Sequence, residues 1–226
     1  MEAPISNAST KRIAVVTGAN KGIGLEICKQ LASHGIMLDV ADSSSVSSLA
    51  NFIETEYGKL DILENGFDIF KKLLEVAQET YEKAEECLTI NCYVMKRVIE
   101  ALIPLLQLGK SPRIVNISSI YGQLRFIPSA SIRKNMDEID EKTEERLDEV
   151  LQSYFKDFKE GKLKDNGWPT PYATYKLSKV AMNNYTRILA VRYPSMCVNC
   201  VSPGFFKTDI NYDLGMSRSK KGLKAL

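Results

Sequence analysis

The chain is poor in the residues that most nucleophilic and metal-dependent enzymes rely on. Its 226 residues include one histidine, His34, and one tryptophan, Trp168. A Ser-His-Asp hydrolase needs a histidine held between two partners. The single one here closes a helical pattern just before Gly35, a place that suits a helix C-terminus and its dipole, and no G-x-S-x-G occurs. Cysteine is sparse and odd in number: Cys28, Cys87, Cys92, Cys197 and Cys200 are scattered, which fits reduced cytosolic thiols better than a disulfide framework. The C-x-x-C of Cys197 and Cys200 lies in the apolar run MCVNCVSPG, which reads as a buried strand. No second Cys/His pair completes a zinc set, so no metal site is expected. An excess of one charge is also lacking. Thirty Lys and Arg against 28 Asp and Glu leave a net charge of +2, with no dense basic field for a phosphate backbone, so nucleic acid is not an expected partner. No apolar run approaches the ~18 residues of a membrane span, and MEAPISNASTKR at the N-terminus has no apolar signal core. The expectation is no membrane and a cytoplasmic location.

What is present is an alternation of strand and helix patterns. RIAVV (12–16) is a short β-rich run; it leads through TGANKGIG into IGLEICKQLAS, whose apolar residues recur at helical spacing. SSSVSSLANFIETEYG predicts a second helix, with serines as caps and Val46, Leu49, Ala50 and Ile53 on one face. KLDIL (59–63) predicts a strand, residues 68–108 a helical stretch broken into two helices, and RIVNISS (113–119) another strand. From Asp137 to Gly161 the chain is rich in charge. Even so, Leu147, Val150, Leu151, Tyr154, Phe155 and Phe158 keep a helical period, so the segment is a folded helical insertion at about 128–168 rather than a linker. YATYKLSKVAMNNYTRILAVRY predicts a helix, and MCVNCVSPGFF a strand running into a loop. The order implies an α/β fold with a doubly wound, Rossmann-like parallel sheet, in one dinucleotide-binding domain spanning 1–226.

The chemistry concentrates in a few short stretches. In TGANKGIG, Gly18 permits a tight turn after the strand, Gly22 lets backbone approach a pyrophosphate at the helix N-terminus, and Gly24 allows close packing of helix on strand. Tyr175 and Lys179 are four apart on a helix and point the same way. An ammonium beside a phenol favours the phenolate, which a tyrosine needs to trade protons near neutral pH. Alone, Y-x-x-x-K is weak, because a solvated helix face supplies it often. Ser118 and Ser119 end a strand at the C-terminal edge, where parallel sheets place their ligands. Asn91, in LTINCYV, is a polar residue inside an apolar helix, where bending or capping is the ordinary role. Trp168, Tyr121, Tyr172, Phe205 and Phe206 lie near these motifs in sequence and are expected to line an apolar substrate pocket.

Taken in order, TGANKGIG, LTIN, IVNISS, YKLSK and SPGFFKTD resemble the short-chain dehydrogenase/reductase family over nearly the whole chain. The long segment between Ser119 and Tyr175 is similar to its monomeric carbonyl-reductase branch, in particular plant reductases of the menthone, neomenthol and salutaridine type. The resemblance implies that Tyr175 protonates a carbonyl oxygen, that Lys179 lowers the tyrosine pKa and holds the nicotinamide ribose, that Ser119 orients the carbonyl and that Asn91 fixes a water in the proton relay. It further implies that Gly18, Asn20, Lys21, Gly22, Ile23 and Gly24 line the cofactor phosphates, with Pro203, Gly204, Phe206 and Thr208 at the carboxamide end. The substrate implied is a small hydrophobic ketone, and the implied state is a monomer.

The chain also departs from that family. Between GIM and LDV it lacks a strand, a helix and a strand, roughly the thirty residues of a βαβ unit. The family's Asn-Asn-Ala-Gly after the fourth strand is represented only by Asn65 and Gly66, and the chain stops soon after KTDINYDLG, before a last strand. The pattern is that of a gene product with exons skipped or misassigned. A strand from IMLDV, returning beside the first by a right-handed crossover, would place Asp39 about 20 residues past the glycine motif, where an acidic group meets the adenosine ribose and favours NAD. Lys21 accompanies NADP in the family, and the resemblance carries the preference to NADPH over NAD. Two outcomes are expected of such a chain: a reductase weakened by its missing segments, or a non-catalytic remnant acting at most as a binding or regulatory protein.

Overall fold

The structure, a computed structural model, describes residues 12–19, 22–31, 42–65, 79–138, 143–204, 206–207 and 217–218. Four strands form one parallel sheet: β1 (Ala14–Thr17), β2 (Ile62–Asn65), β3 (Arg113–Ile117) and β4 (Cys197–Val201), paired in the order β1-β2-β3-β4. This is a Rossmann-like α/β fold. The reversal of strand order that makes such a sheet doubly wound needs a strand on the far side of β1, and the expected IMLDV strand and Asp39 lie outside the described residues.

Between β1 and β2 come α1 (Gly22–Leu31) and α2 (Ser43–Tyr57). The cap of α2 is not one of the expected serines but Asp42, whose carboxylate accepts from Ser44 N at 3.0 Å and also takes the Ser44 and Ser45 hydroxyls. A carboxylate satisfies several of the free donors at a helix start at once, so it displaces the weaker serine acceptors. The second strand begins later than KLDIL predicts. Leu60 N bonds Leu105 O and so turns away from the sheet; Asp61 bonds Ile13 O through its N–H and Arg113 N through its carbonyl, its carboxylate takes Ile13 N and Lys59 Nζ (both 2.9 Å), and the paired register runs from Ile62.

Of the expected 68–108 stretch, residues 66–78 lie outside the described residues, and from Tyr81 to Gln107 the chain is helical. This run consists of α3 (Tyr81–Leu88), a π-helical turn (Thr89–Val94) and α4 (Met95–Gln107). β3 leads through two 3-10 turns, Ile120–Gly122 and Leu124–Phe126, to α5 (Ala130–Asp137) and α6 (Thr143–Lys159). On α6 the predicted apolar stripe is real: Leu147, Val150, Leu151 and Tyr154 are buried, with Phe155 and Phe158 packed against the core.

The centre of the packing is α7 (Ala173–Arg192), fifteen of whose twenty residues are buried. It lies between the sheet, α3 with its π turn, and the insertion. Polar bonds hold the insertion to it: Asn184 Nδ2 donates to Met136 O at 2.8 Å and Arg187 Nη2 to Asp137 O at 2.8 Å. Arg192 Nη2 donates to Glu144 at 2.6 Å, a carboxylate shared with Lys96. Against expectation, Cys197 and Cys200 are exposed: β4 is the outermost strand of this sheet, so an apolar sequence there does not bring burial with it. Among the described residues, no helix is long and apolar enough to cross a membrane.

Candidate active site at the C-terminal edge of the sheet

At the end of β1, Gly18 takes φ +66°, a left-handed turn that glycine adopts without strain. A Cβ on Gly24 would stand 2.6 Å from Gly18 O, so only glycine lets the first turn of α1 close down on that loop. The start of α1 thus lies close against the loop that leaves a parallel strand, a position in which a helix N-terminus is suited to receive a phosphate. Gly22 and Ile23 lie in that first turn; Asn20 and Lys21 lie outside the described residues. Behind the turn a hydrogen-bonded row crosses the sheet: Thr17 Oγ1 to Asn65 Oδ1 (3.5 Å), Asn65 Nδ2 to Asn116 Oδ1 (3.0 Å), Asn116 Nδ2 to Thr186 Oγ1 (2.9 Å). This row gives the retained Asn65 a structural place.

Two strands further on, the expected catalytic side chains come together. Tyr175 and Lys179 project from α7, 5 % and 1 % exposed, with Lys179 Nζ 5.8 Å from the Tyr175 ring centre. The Lys179 ammonium donates to Ile117 O at 3.0 Å, which ties it to the end of β3. Ser119 follows that strand, is half-buried, and caps the first 3-10 turn by accepting from Tyr121 N at 3.3 Å. Asn91 sits in the π turn, fully buried; its Nδ2 donates to Ser178 Oγ at 2.9 Å, and Ser178 Oγ donates onward to Tyr175 O at 2.8 Å. The widened turn accounts for a polar residue inside an apolar helix. Asn91 Oδ1 is buried with no protein partner, and a buried acceptor in that state calls for a water or a ligand atom.

Beyond β4, Pro203 is half-buried and Gly204 takes φ +86°. Phe206 begins a two-residue strand, β5 (Phe206–Lys207), paired with β6 (Ser217–Arg218). Phe205 and Thr208 lie outside the described residues. Of the expected apolar wall, Tyr121 packs edge-on against Tyr175 at 6.3 Å, and Tyr172 is partly exposed at the start of α7 with φ +60°. Trp168 is a correction. It is 2 % exposed, edge-on to Tyr154 at 5.0 Å with Nε1 donating to Asp157 at 2.7 Å, so it belongs to the core under the insertion.

The sequence reading missed three neighbours. Asn183 accepts from Ser118 Oγ at 2.5 Å and donates to Gly122 O at 2.7 Å, locking the serine turn to α7. A Cβ on Gly122 would fall 2.6 Å from Asn183 Nδ2 and 2.9 Å from Lys179 O, so glycine is what permits this approach. Lys176, next to Tyr175, is buried, and loss of hydration holds its pKa below the ordinary lysine value against the pull of Glu79. Only the glycine could have been suspected, as a breaker within YGQ. Among the described residues, no group of three or more His, Cys, Asp or Glu side chains is placed to hold a metal ion.

Comparison with known proteins agrees with this geometry. A family profile described as enoyl-(acyl carrier protein) reductase matches residues 13–134. Short-chain dehydrogenase/reductase 1 of Saponaria officinalis is 43 % identical over 94 % of the chain and 87 % of its own length. (+)-Neomenthol dehydrogenase of Arabidopsis thaliana is 41 % identical over 94 % and 89 %. The structure of salutaridine reductase from Papaver somniferum superposes with a TM-score of 0.85 at 40 % identity, covering 95 % of this chain and 93 % of that one. The alignment with the Saponaria protein runs over 263 positions, more than the 226 residues of this chain, so it opens gaps in the chain.

Proposed function

Because the chain belongs to the short-chain dehydrogenase/reductase family of oxidoreductases, we propose that it is a monomeric, cytoplasmic, NADPH-dependent reductase that converts a hydrophobic ketone, of monoterpenoid or alkaloid type, to an alcohol. We read residues 1–226 as one such domain. The observation that carries this reading is the meeting of Tyr175, Lys179, Ser119 and Asn91 at the C-terminal end of β3, from three separate parts of the chain. The names and coverage of the relatives support the substrate class.

The residues present fit a dinucleotide, since the Gly18–Gly24 approach leaves the start of α1 open to a pyrophosphate. NADPH, when bound, supplies hydride to the carbonyl carbon. Gly18, Gly22, Ile23 and Gly24, with Asn20 and Lys21, hold its phosphates, and Pro203, Gly204, Phe206 and Thr208 its carboxamide end. Tyr175 is the proton donor to the carbonyl oxygen; its hydroxyl acts on the developing alkoxide rather than on the ground state. Lys179, anchored on Ile117 O, keeps positive charge beside that phenol and favours its deprotonated form after transfer. Ser119 orients the carbonyl, and the unpaired Asn91 Oδ1 holds the water through which Tyr175 is recharged.

The chain lacks the segments that shape the adenine wall and carry the group pairing with the 2′-phosphate. Losing one such charge-assisted contact costs on the order of 1.5–3 kcal/mol, about tenfold to over a hundredfold in affinity. Weak NADPH binding and low turnover follow. The gaps in the alignment favour a second reading, a non-catalytic remnant. Nucleotide fluorescence during NADPH titration, combined with reduction of a cyclic monoterpenoid ketone, separates the two. The reductase reading expects saturable binding and slow turnover that Tyr175→Phe abolishes while NADPH affinity stays within about twofold. No binding at millimolar nucleotide establishes the remnant, and full turnover by Tyr175→Phe refutes the proton-donor role.

A further inference from the structure

Lys176 is an ammonium placed where hydration is scarce: it is 8 % exposed. Its Nζ has Thr170 O at 3.4 Å, and it lies 5.6 Å above the Tyr121 ring centre and 6.0 Å from that of Phe126. The two rings meet each other edge-on at 5.4 Å, and Tyr121 meets Tyr175 edge-on at 6.3 Å. Tyr121 is fixed at its backbone as well, through its N–H on Ser119 Oγ and through the Asn183 bond to the next carbonyl, Gly122 O. The ring of Tyr121 therefore stands beside both Ser119 and Tyr175. A cation over an aromatic face is worth more when it is desolvated.

Resting on the reductase reading, we propose that Lys176 is a positioning residue that pins Tyr121 as the wall beside the Ser119 and Tyr175 hydroxyls, and so sets the affinity for the ketone without touching it. Among the described residues, the Lys176 ammonium meets Thr170 O and the Tyr121 and Phe126 rings and none of those assigned to the nucleotide, so its influence falls on ketone binding and not on the cofactor. A planar wall held at one angle favours a compact cyclic ketone over a flexible chain, because the wall meets a rigid ring without ordering it first.

The test uses Lys176→Met, which keeps the length and removes the charge, Lys176→Arg, which keeps the cation, and Tyr121→Leu. Spectra of protein carrying ring-13C tyrosine, assigned with Tyr121→Phe and Tyr175→Phe, report the ring whether or not the parent turns over. A silent parent thus counts against the reductase reading alone. Lys176→Met is expected to displace the Tyr121 signal and raise KM for a cyclic monoterpenoid ketone roughly fivefold to twentyfold, with kcat and NADPH affinity within about twofold. Lys176→Arg restores both readouts. Tyr121→Leu gives a similar KM rise with Lys176 intact, and the double variant adds nothing further. An unmoved Tyr121 signal, additive effects, failure of Arg to restore, or a parallel fall in NADPH affinity would each overturn the assignment.

Discussion

Among the described residues, Glu64 is a buried carboxyl group with no partner for its charge. It lies on β2 between Leu63 and Asn65, which face the helical core, so its own side chain turns to the opposite side of the sheet toward α1, where Cys28 is its neighbour. It is 4 % exposed and neither carboxyl oxygen has a hydrogen-bond partner. Burial pushes its pKa up from 4.5 to about 8, and burial with this carboxylate beside it pushes the Cys28 thiol up as well. Between those two values the folded protein keeps a proton that the unfolded chain releases, so stability falls as pH rises from about 4.5 to about 8 and levels off above. Glu64→Gln, which cannot ionise, should flatten that slope and exceed the parent in stability by up to about 4 kcal/mol at pH 8. Urea midpoints at pH 5 and pH 8 decide the matter, and equal parental midpoints at the two values would remove it. The tyrosine, the lysine and the glycines of the site were legible only in company: each spacing alone has an ordinary explanation, and it is their order along one strand-and-helix pattern that singles them out. Lys176 was not legible, because a lysine following Tyr175 reads as a solvated helix position until the aromatic faces around it are seen.

At the scale of elements, the site depends on how closely the serine turn lies on α7. Gly122→Ala would force its new methyl into Asn183 Nδ2, Ser118 Oγ and the Lys179 carbonyl, the last of which is backbone and cannot swing aside. We expect a loss of about 1–3 kcal/mol of stability and a larger fractional loss of turnover than of NADPH affinity, since the turn carries Ser119 and not the glycine loop. Thermal melts and paired kinetic and titration data test this. Parental turnover in Gly122→Ala would show that the close approach is dispensable. Helices with strong periodicity, such as α6, were legible in the sequence, and so was the order of strands and helices. Boundaries were less so: the start of β2 is set by where Asp61 and Leu60 find partners, and the cap of α2 by competition between a carboxylate and its neighbouring serines. The π turn was invisible, because Thr89 to Val94 carries no signal that separates it from an ordinary helix interior.

At the scale of the whole molecule, the insertion forms a layer over α7. Met136 of α5 and Leu147, Val150, Leu151 and Tyr154 of α6 join the core, and the bonds from Asn184, Arg187 and Arg192 fasten this layer over α7. The protein should therefore sediment as a monomer at micromolar concentration, and a stable dimer there would contradict that expectation. Which aromatic residues belong to the substrate and which to this layer could not be read from sequence, since Trp168 and Tyr121 both lie near the motifs and differ only in what packs on them. The central place of α7 matters while the chain is still being made. Synthesis runs from the N-terminus, so α3 with its π turn, β3, the serine turn and α6 leave the ribosome before the helix against which they pack. Fifteen of the twenty residues of α7 are destined for burial, polar ones such as Lys176, Ser178, Lys179 and Asn184 among them, so both its apolar and its polar side chains wait for partners. The nascent chain thus passes through a stage in which its apolar faces have no partner. Pausing before residue 173, or a stop codon there, should leave a product that recruits chaperones and is degraded, whereas release a few dozen residues later should not.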